Sequence, residues 1–165
     1  MKWDEISQQQ CSVARSSAVL GDRWAILIVS DLFLGVRRFD DFYQRLGLSR
    51  TTLTNRLKLL EEHEVVQRRV YQEQPLRHEY RLTAKGRDLF PVISALVSWG
   101  DKYYFSDSTP PILRRHIPCG HDIEPVLTCP RCHEAVDARS ISARKRPDSA
   151  GLPVVERGPV TYSSE

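Results

Sequence analysis

No stretch of this 165-residue chain approaches the roughly 20 consecutive apolar residues that a bilayer span requires. The opening residues "MKWDEISQQQ" lack both the basic and the apolar parts of a secretory leader. Both absences point to a cytoplasmic protein. Excess charge is also scarce: a net +3 permits nucleic-acid binding without requiring it, so any basic face has to be found locally. Cysteine is sparse, four residues in all, and three of them share one short stretch with three of the five histidines. In a reducing compartment such a cluster binds metal more readily than it forms a disulfide framework. With 41% hydrophobic residues the chain has enough apolar material for one or two small cores without staples. No internal repeat is visible.

What is present begins with helical periodicity. Residues 11–20 read as a short helix with one buried face, ended by Gly21. Asp22 can cap "RWAILIVSDLFLG", which is apolar on nearly every side and is expected to be the central buried helix, stopped by Gly35. "RRF" is expected as a brief strand, and Asp40 or Asp41 as the start of the helix "DFYQRL", broken at Gly47. Ser49 opens the next helix, "SRTTLTNRLKLLEEHE", with Leu53, Leu57 and Leu60 on one stripe. "VVQRRVYQEQPLRHEYRLT" reads as a hairpin turning at "EQP". Thr83 can cap one long final helix, kinked at Pro91, whose Leu89, Ile93, Leu96, Gly100 and Tyr103 form a stripe beside Phe90, Val97 and Tyr104. Trp24 and Trp99 are expected as core or interface aromatics.

Helix, buried helix, short helix, turn, amphipathic helix and hairpin is the order of a winged helix-turn-helix, mainly α with a small β wing. Opposite the leucine stripe lie Thr51, Asn55 and Lys58, side chains able to hydrogen-bond base edges and phosphates. Between Gly35 and Lys58 six basic residues (Arg37, Arg38, Arg45, Arg50, Arg56, Lys58) face two acidic ones (Asp40, Asp41). The acids Glu61, Glu62 and Glu64 gather at the far end of the helix, so its basic N-terminal turns are the ones suited to enter a groove. Expected DNA contacts are Ser49, Arg50, Thr51, Thr54, Asn55 and Lys58, with Arg56 a phosphate contact or, if it faces the core, none.

Several motifs in this order resemble the HxlR family of bacterial transcriptional regulators, relatives of the MarR group. They are Cys11 before the first helix, "GDRW" at 21–24, "RRF" at 37–39, "LSRTTLTNRLKLLE" at 48–61 and "EYRLTAKG" at 79–86. The resemblance covers about 90 residues, 11–100. It implies a homodimer on a pseudo-palindromic operator, with the first and last helices forming the dimer interface. It also implies a recognition helix over residues 50–64, a wing-tip contact from Arg77, and Cys11 as a candidate redox switch. An effector ligand is left open. The alternatives are a winged-helix protein-interaction module and, third, a zinc-dependent hydrolase using Glu124 or Glu134 as base.

The expected domains are an N-terminal arm (1–10), the winged helix-turn-helix (11–106), a linker and zinc-binding module (107–138), and a disordered tail (139–165) rich in Ser, Pro, Gly and charge. The basic run "ARKR" at 143–146 reads as a solvated patch. In the module, His116-x-x-Cys119 and Cys129-Pro-Arg-Cys132 are two short-spaced pairs of the kind that close a tetrahedral zinc site, with His121 and His133 as alternates. His133 stands where a zinc ribbon ordinarily has glycine. Four protein ligands would make the zinc structural.

Overall fold

The computed structural model describes residues 11–105 and 109–142. The chain divides into two compact units, the first ending at Gly100 and the second beginning at Asp101. The N-terminal arm, residues 106–108 and residues 143–165, including "ARKR", lie outside the described residues.

The elements are α1 (Ser12–Leu20), α2 (Arg23–Phe33), α3 (Phe39–Leu46), α4 (Arg50–Glu62), β1 (Val66–Gln72), β2 (Arg77–Leu82), α5 (Ala84–Arg87) and α6 (Phe90–Tyr104). Asp22 starts α2 as expected: its carboxylate accepts from the N–H groups of Trp24 at 3.0 Å and Ala25 at 3.3 Å, satisfying two donors the helix leaves open. At the other end Gly35 takes φ 92°, and the Arg37 guanidinium donates to the Leu32 carbonyl at 2.8 Å. Helix α3 begins at Phe39, one residue before the expected Asp40. The cause is tertiary: Arg38 forms an isolated bridge to Glu79, and the Tyr80 N–H reaches the Arg37 carbonyl at 2.8 Å, so residues 37–38 are held extended against β2, where a brief strand was expected. Asp40 and Asp41 then fall in the first turn of α3, where negative charge suits the helix dipole.

Helix α2 is the centre of the core. Ala25, Ile28, Val29 and Leu32 meet Phe42 of α3, Leu53, Leu57 and Leu60 of α4, Val65, Val66, Leu82 and Ile93, all at most 9% exposed. Each fully buried leucine of α4 contributes about 1.5–3 kcal/mol. Asp31 is buried on the same helix, and its carboxylate takes two bonds from Arg45 of α3, at 3.0 and 3.2 Å. Hydrogen bonding to Asp31, then its charge, raises the Arg45 pKa above its ordinary value. Helix α1 departs from expectation, since none of its residues is fully buried and Val13 is 74% exposed.

The expected single final helix is two. Proline has no N–H and its ring collides with the carbonyl four residues back, so it is tolerated only in a first turn. The chain accordingly closes α5 at Arg87 and begins α6 at Phe90, with Pro91 as the second residue instead of a mid-helix kink. Among the described residues no helix is long and apolar enough to cross a membrane.

Candidate nucleic-acid interface

The turn from α3 to α4 is three residues long. Gly47 takes the left-handed conformation (φ 63°) that closes α3, Leu48 buries its side chain, and Ser49 caps α4 by accepting from the Thr52 N–H at 3.1 Å. Because Leu53, Leu57 and Leu60 are anchored in the core, the opposite face of α4 is oriented outward. Thr51, Thr54, Asn55 and Lys58, spaced by three, four and seven residues, are all exposed there. Lys58 has one neighbour of opposite sign, Glu62, at 3.5 Å on the helix surface. Arg50 is exposed but ordered: Asp40 receives its guanidinium at 3.1 Å, and the group lies 4.7 Å from the Tyr43 ring centre and 5.6 Å from that of Phe39.

The hairpin stands beside this helix. Its strands pair antiparallel from Val66 opposite Leu82 to Gln72 opposite Arg77, with a bulge between Val70 and Gln72. Arg68 of β1 donates to Glu61 of α4 at 3.0 Å, tying the wing to the acidic end of the helix, and that bond raises the Arg68 pKa. Burial raises the pKa of Tyr80, which packs edge-on against Phe42. Arg77 and Leu76 are exposed at the tip.

The local basic excess is only partly a surface property. Arg45 is committed to Asp31, Arg37 to the Leu32 carbonyl, and Arg56 to Asp22, whose carboxylate lies 2.9 Å from its Nε. That Nε also has no hydrogen bond of proper alignment, so the Arg56–Asp22 contact is ionic in character. Arg56 is thus paired toward the body of the domain, the side on which no phosphate contact is expected of it. Arg38, Arg50 and Lys58 remain for the outer face; Arg38 lies over the Tyr71 ring at 4.8 Å. The sequence concealed these internal pairings because Asp22 and Asp31 read as a cap and as one polar break in an apolar run.

Cys11 is half-buried at the N-cap of α1, where its carbonyl accepts from Arg15 and its side chain makes no capping bond. A cleft of about 410 Å³ opens beside α1, with Val19, Leu20, Val65 and Leu89 as apolar lining and Arg15, His63 and Lys85 as polar lining.

In the second unit the Cys/His segment forms two turns. His116 Nδ1 lies 3.1 Å from Cys119 Sγ. The Cys129 thiol is held below its ordinary range, first by the backbone N–H of Cys132, then by that of Arg131, then by the Cys132 side chain. Among the described residues no three His, Cys, Asp or Glu side chains are gathered in one cluster, so the pairs stand as pairs. Residues 137–140 form a further turn in which Asp137 accepts from the N–H groups of Arg139 and Ser140, carrying order past residue 139, where the tail was expected to start.

Comparison with known proteins agrees with this geometry. Residues 19–108 match the model of the HxlR-like helix-turn-helix family. The chain is 43% identical over 136 residues to Rv3095 of Mycobacterium tuberculosis, an uncharacterized HTH-type transcriptional regulator, a match covering 82% of this chain and 86% of the relative. Among solved structures, PA1607, described as a candidate transcription factor, is 34% identical with a TM-score of 0.75, covering 87% of this chain and 99% of that one. The redox regulator HypR in its oxidized form is 31% identical with a TM-score of 0.53, covering 56% of this chain and 96% of its own. The fold, the exposed α4 face beside its wing and these matches together show that the chain belongs to the HxlR-like helix-turn-helix family of transcriptional regulators.

Proposed function

We propose that the protein acts in the cytoplasm as a homodimer on a pseudo-palindromic operator, placing the N-terminal turns of α4 in successive major grooves. One observation carries this reading: the outward face of α4 bears Thr51, Thr54, Asn55 and Lys58 directly after a three-residue turn and beside a wing. Asn55 and the threonines read base edges; Ser49, Arg50, Lys58 and, at the wing tip, Arg77 hold phosphates or the neighbouring minor groove. The exposed apolar side of α6, together with α1, supplies the dimer contact. The cleft beside α1 offers room for a small effector with an apolar body and a negative group. No catalytic step is assigned to the chain in this proposal; a hydrolase would reveal itself as turnover lost on chelation.

Selection of binding sites from random duplexes, followed by titration at several salt concentrations, tests the assignment. Asn55→Ala should relax preference at one base position by about 1–3 kcal/mol. Arg77→Ala should instead weaken all sequences alike and reduce the salt slope by about 1. Arg56→Ala serves as the control: it should lower stability and leave the slope unchanged, because Arg56 is spent on Asp22. A wild-type protein that selects no sequence and shows little salt dependence would support the protein-interaction alternative instead.

Cys11 is proposed as a redox-sensitive position. Its place at the N-cap of α1, a helix assigned to the dimer contact, supports this, as does the likeness to a redox regulator. Oxidant is expected to release the operator from wild type and not from Cys11→Ser. Equal release from both proteins removes Cys11 from that role.

A further inference from the structure

The second unit contains a repeat that the sequence does not display. In the first turn the His116 N–H donates to the His121 carbonyl at 2.9 Å, the Gly120 N–H to the His116 carbonyl at 2.7 Å, and the Ile123 N–H to the Arg114 carbonyl at 2.8 Å. Thirteen positions later the same three bonds recur: Cys129 to Glu134 at 2.9 Å, His133 to Cys129 at 2.9 Å, and Val136 to Leu127 at 2.8 Å. Each turn is closed by a bridge, Arg115 with Asp122 and Thr128 with Ala135, and each has one left-handed residue in the same place, Gly120 (φ 72°) and His133 (φ 61°). Across residues 116–122 and 129–135 the two turns share a single identical residue, Cys119 with Cys132, which is why the repeat is invisible in the sequence.

The equivalence sorts the histidines. His116 occupies the place of Cys129, and Cys119 that of Cys132, so each turn presents one pair of soft or borderline donors at matching positions. His121 matches Glu134, and His133 matches Gly120, a position set by backbone conformation. A histidine at positive φ is uncommon, and its presence there belongs to the turn and not to a ligand set. The 3.1 Å between His116 Nδ1 and Cys119 Sγ is within half an ångström of the roughly 3.6 Å that separates an imidazole nitrogen and a thiolate on one tetrahedral zinc.

A second observation points to what the turns hold. Among described residues 109–142 not one side chain is buried; Ile117 is 91% exposed, Val126 74% and Leu127 68%. Two well-formed turns with no buried side chain among their described residues suit cohesion by a disulfide or a metal, the staples common in so small a unit. The cysteines are free, and two of the three lie exposed, an unusual state for thiols with no function. The matched stretch shared with Rv3095 leaves only 29 residues of this chain outside it, while 32 follow His133, so that relative is matched across both turns. HypR, covering 56% of the chain, is too short a match to include both the winged helix and the two turns.

We propose that the tandem turns bind one divalent zinc ion per chain through His116 Nδ1 and the thiolates of Cys119, Cys129 and Cys132. Binding displaces the three thiol protons and joins the two pairs on a single ion, so that metal affinity appears as folding of this unit. Three thiolates and one imidazole fill a tetrahedron and leave no position for water, which makes the ion structural.

Metal analysis of the purified full-length protein after gel filtration tests the assignment, with no DNA involved, so its outcome is separate from that of operator binding. One zinc per chain is expected, retained by His121→Ala and His133→Gly and lost from Cys119→Ser, Cys129→Ser and His116→Ala. His116→Cys should restore it, which separates loss of a ligand from loss of folding. Cobalt(II) added to the apoprotein should give the strong visible bands of a tetrahedral thiolate site. In every variant the winged helix should still unfold cooperatively. Zinc absent from the wild type, one ion shared between two chains, or zinc lost from His121→Ala while His116→Ala keeps it would each overturn the assignment.

Discussion

Gly86→Ala should destabilise the winged-helix unit by about 3 kcal/mol, a large share of the 5–15 kcal/mol typical of a domain. A methyl group built on Gly86 would lie 2.1 Å from the Val65 carbonyl oxygen, 3.0 Å from a Leu82 methyl and 3.1 Å from the Val65 carbonyl carbon. The nearest of these is backbone, which cannot rotate away. It is also anchored: the same Val65 carbonyl accepts from the Thr83 N–H at 3.1 Å, and the Thr83 hydroxyl caps α5 by accepting from the Gly86 N–H at 3.1 Å. Relieving the clash means lifting α5 from the start of β1 and breaking those bonds, each worth about 1 kcal/mol. In an exposed helix the same substitution would stabilise by up to about 1 kcal/mol, so the sign of the effect reports the packing. Urea unfolding followed by circular dichroism measures it; an unchanged or raised midpoint would show that α5 is not seated on Val65.

The paired substitution Leu96→Glu and Trp99→Glu should weaken self-association at least about 100-fold, and operator affinity with it. Ile93 and Ser94 are the buried side of α6, whereas Val92, Leu96, Trp99 and Tyr103 are 46%, 46%, 55% and 58% exposed. Those four stand at intervals of four, three and four residues, one continuous stripe of helix surface. A monomer seldom leaves so much contiguous apolar area in water, and a symmetric copy can cover it with the same patch. Two carboxylates placed in such a contact would be buried without partners, which costs several kcal/mol. Each half-site would then be bound singly, so sequence-specific affinity collapses while salt-sensitive, nonspecific binding persists. Sedimentation velocity and fluorescence anisotropy with operator DNA read the two effects. A variant that sediments as the wild type does would place the dimer contact elsewhere.

Local chemistry made much of the fold legible before any coordinates. The caps at Asp22, Ser49 and Thr83, the glycine stops at 35 and 47, the leucine stripe of α4 and the hairpin all depend on interactions spanning a few residues, and the structure shows each of them. At the start of α3 a distant partner overrode the local signal, because β2 holds Arg38 extended, and α1 is less buried than its apolar spacing suggests. The split between α5 and α6 has a local cause instead, since Pro91 alone explains it.

The candidate site divides along the same line. The sequence by itself determined which residues occupy the outward face of α4, because fixing three leucines on one side of a helix fixes the azimuth of Thr51, Thr54, Asn55 and Lys58 on the other. It also determined that two Cys/His pairs exist, because ligand spacing is a local property. Only the tertiary structure decided how the arginines are paired, since Arg37 answers to the Leu32 carbonyl, Arg45 to Asp31 and Arg56 to Asp22 across space and not to anything beside them in the chain. It likewise set the equivalence of the two turns in the second unit, which is a matter of backbone hydrogen bonds that sequences sharing one residue in seven can make alike.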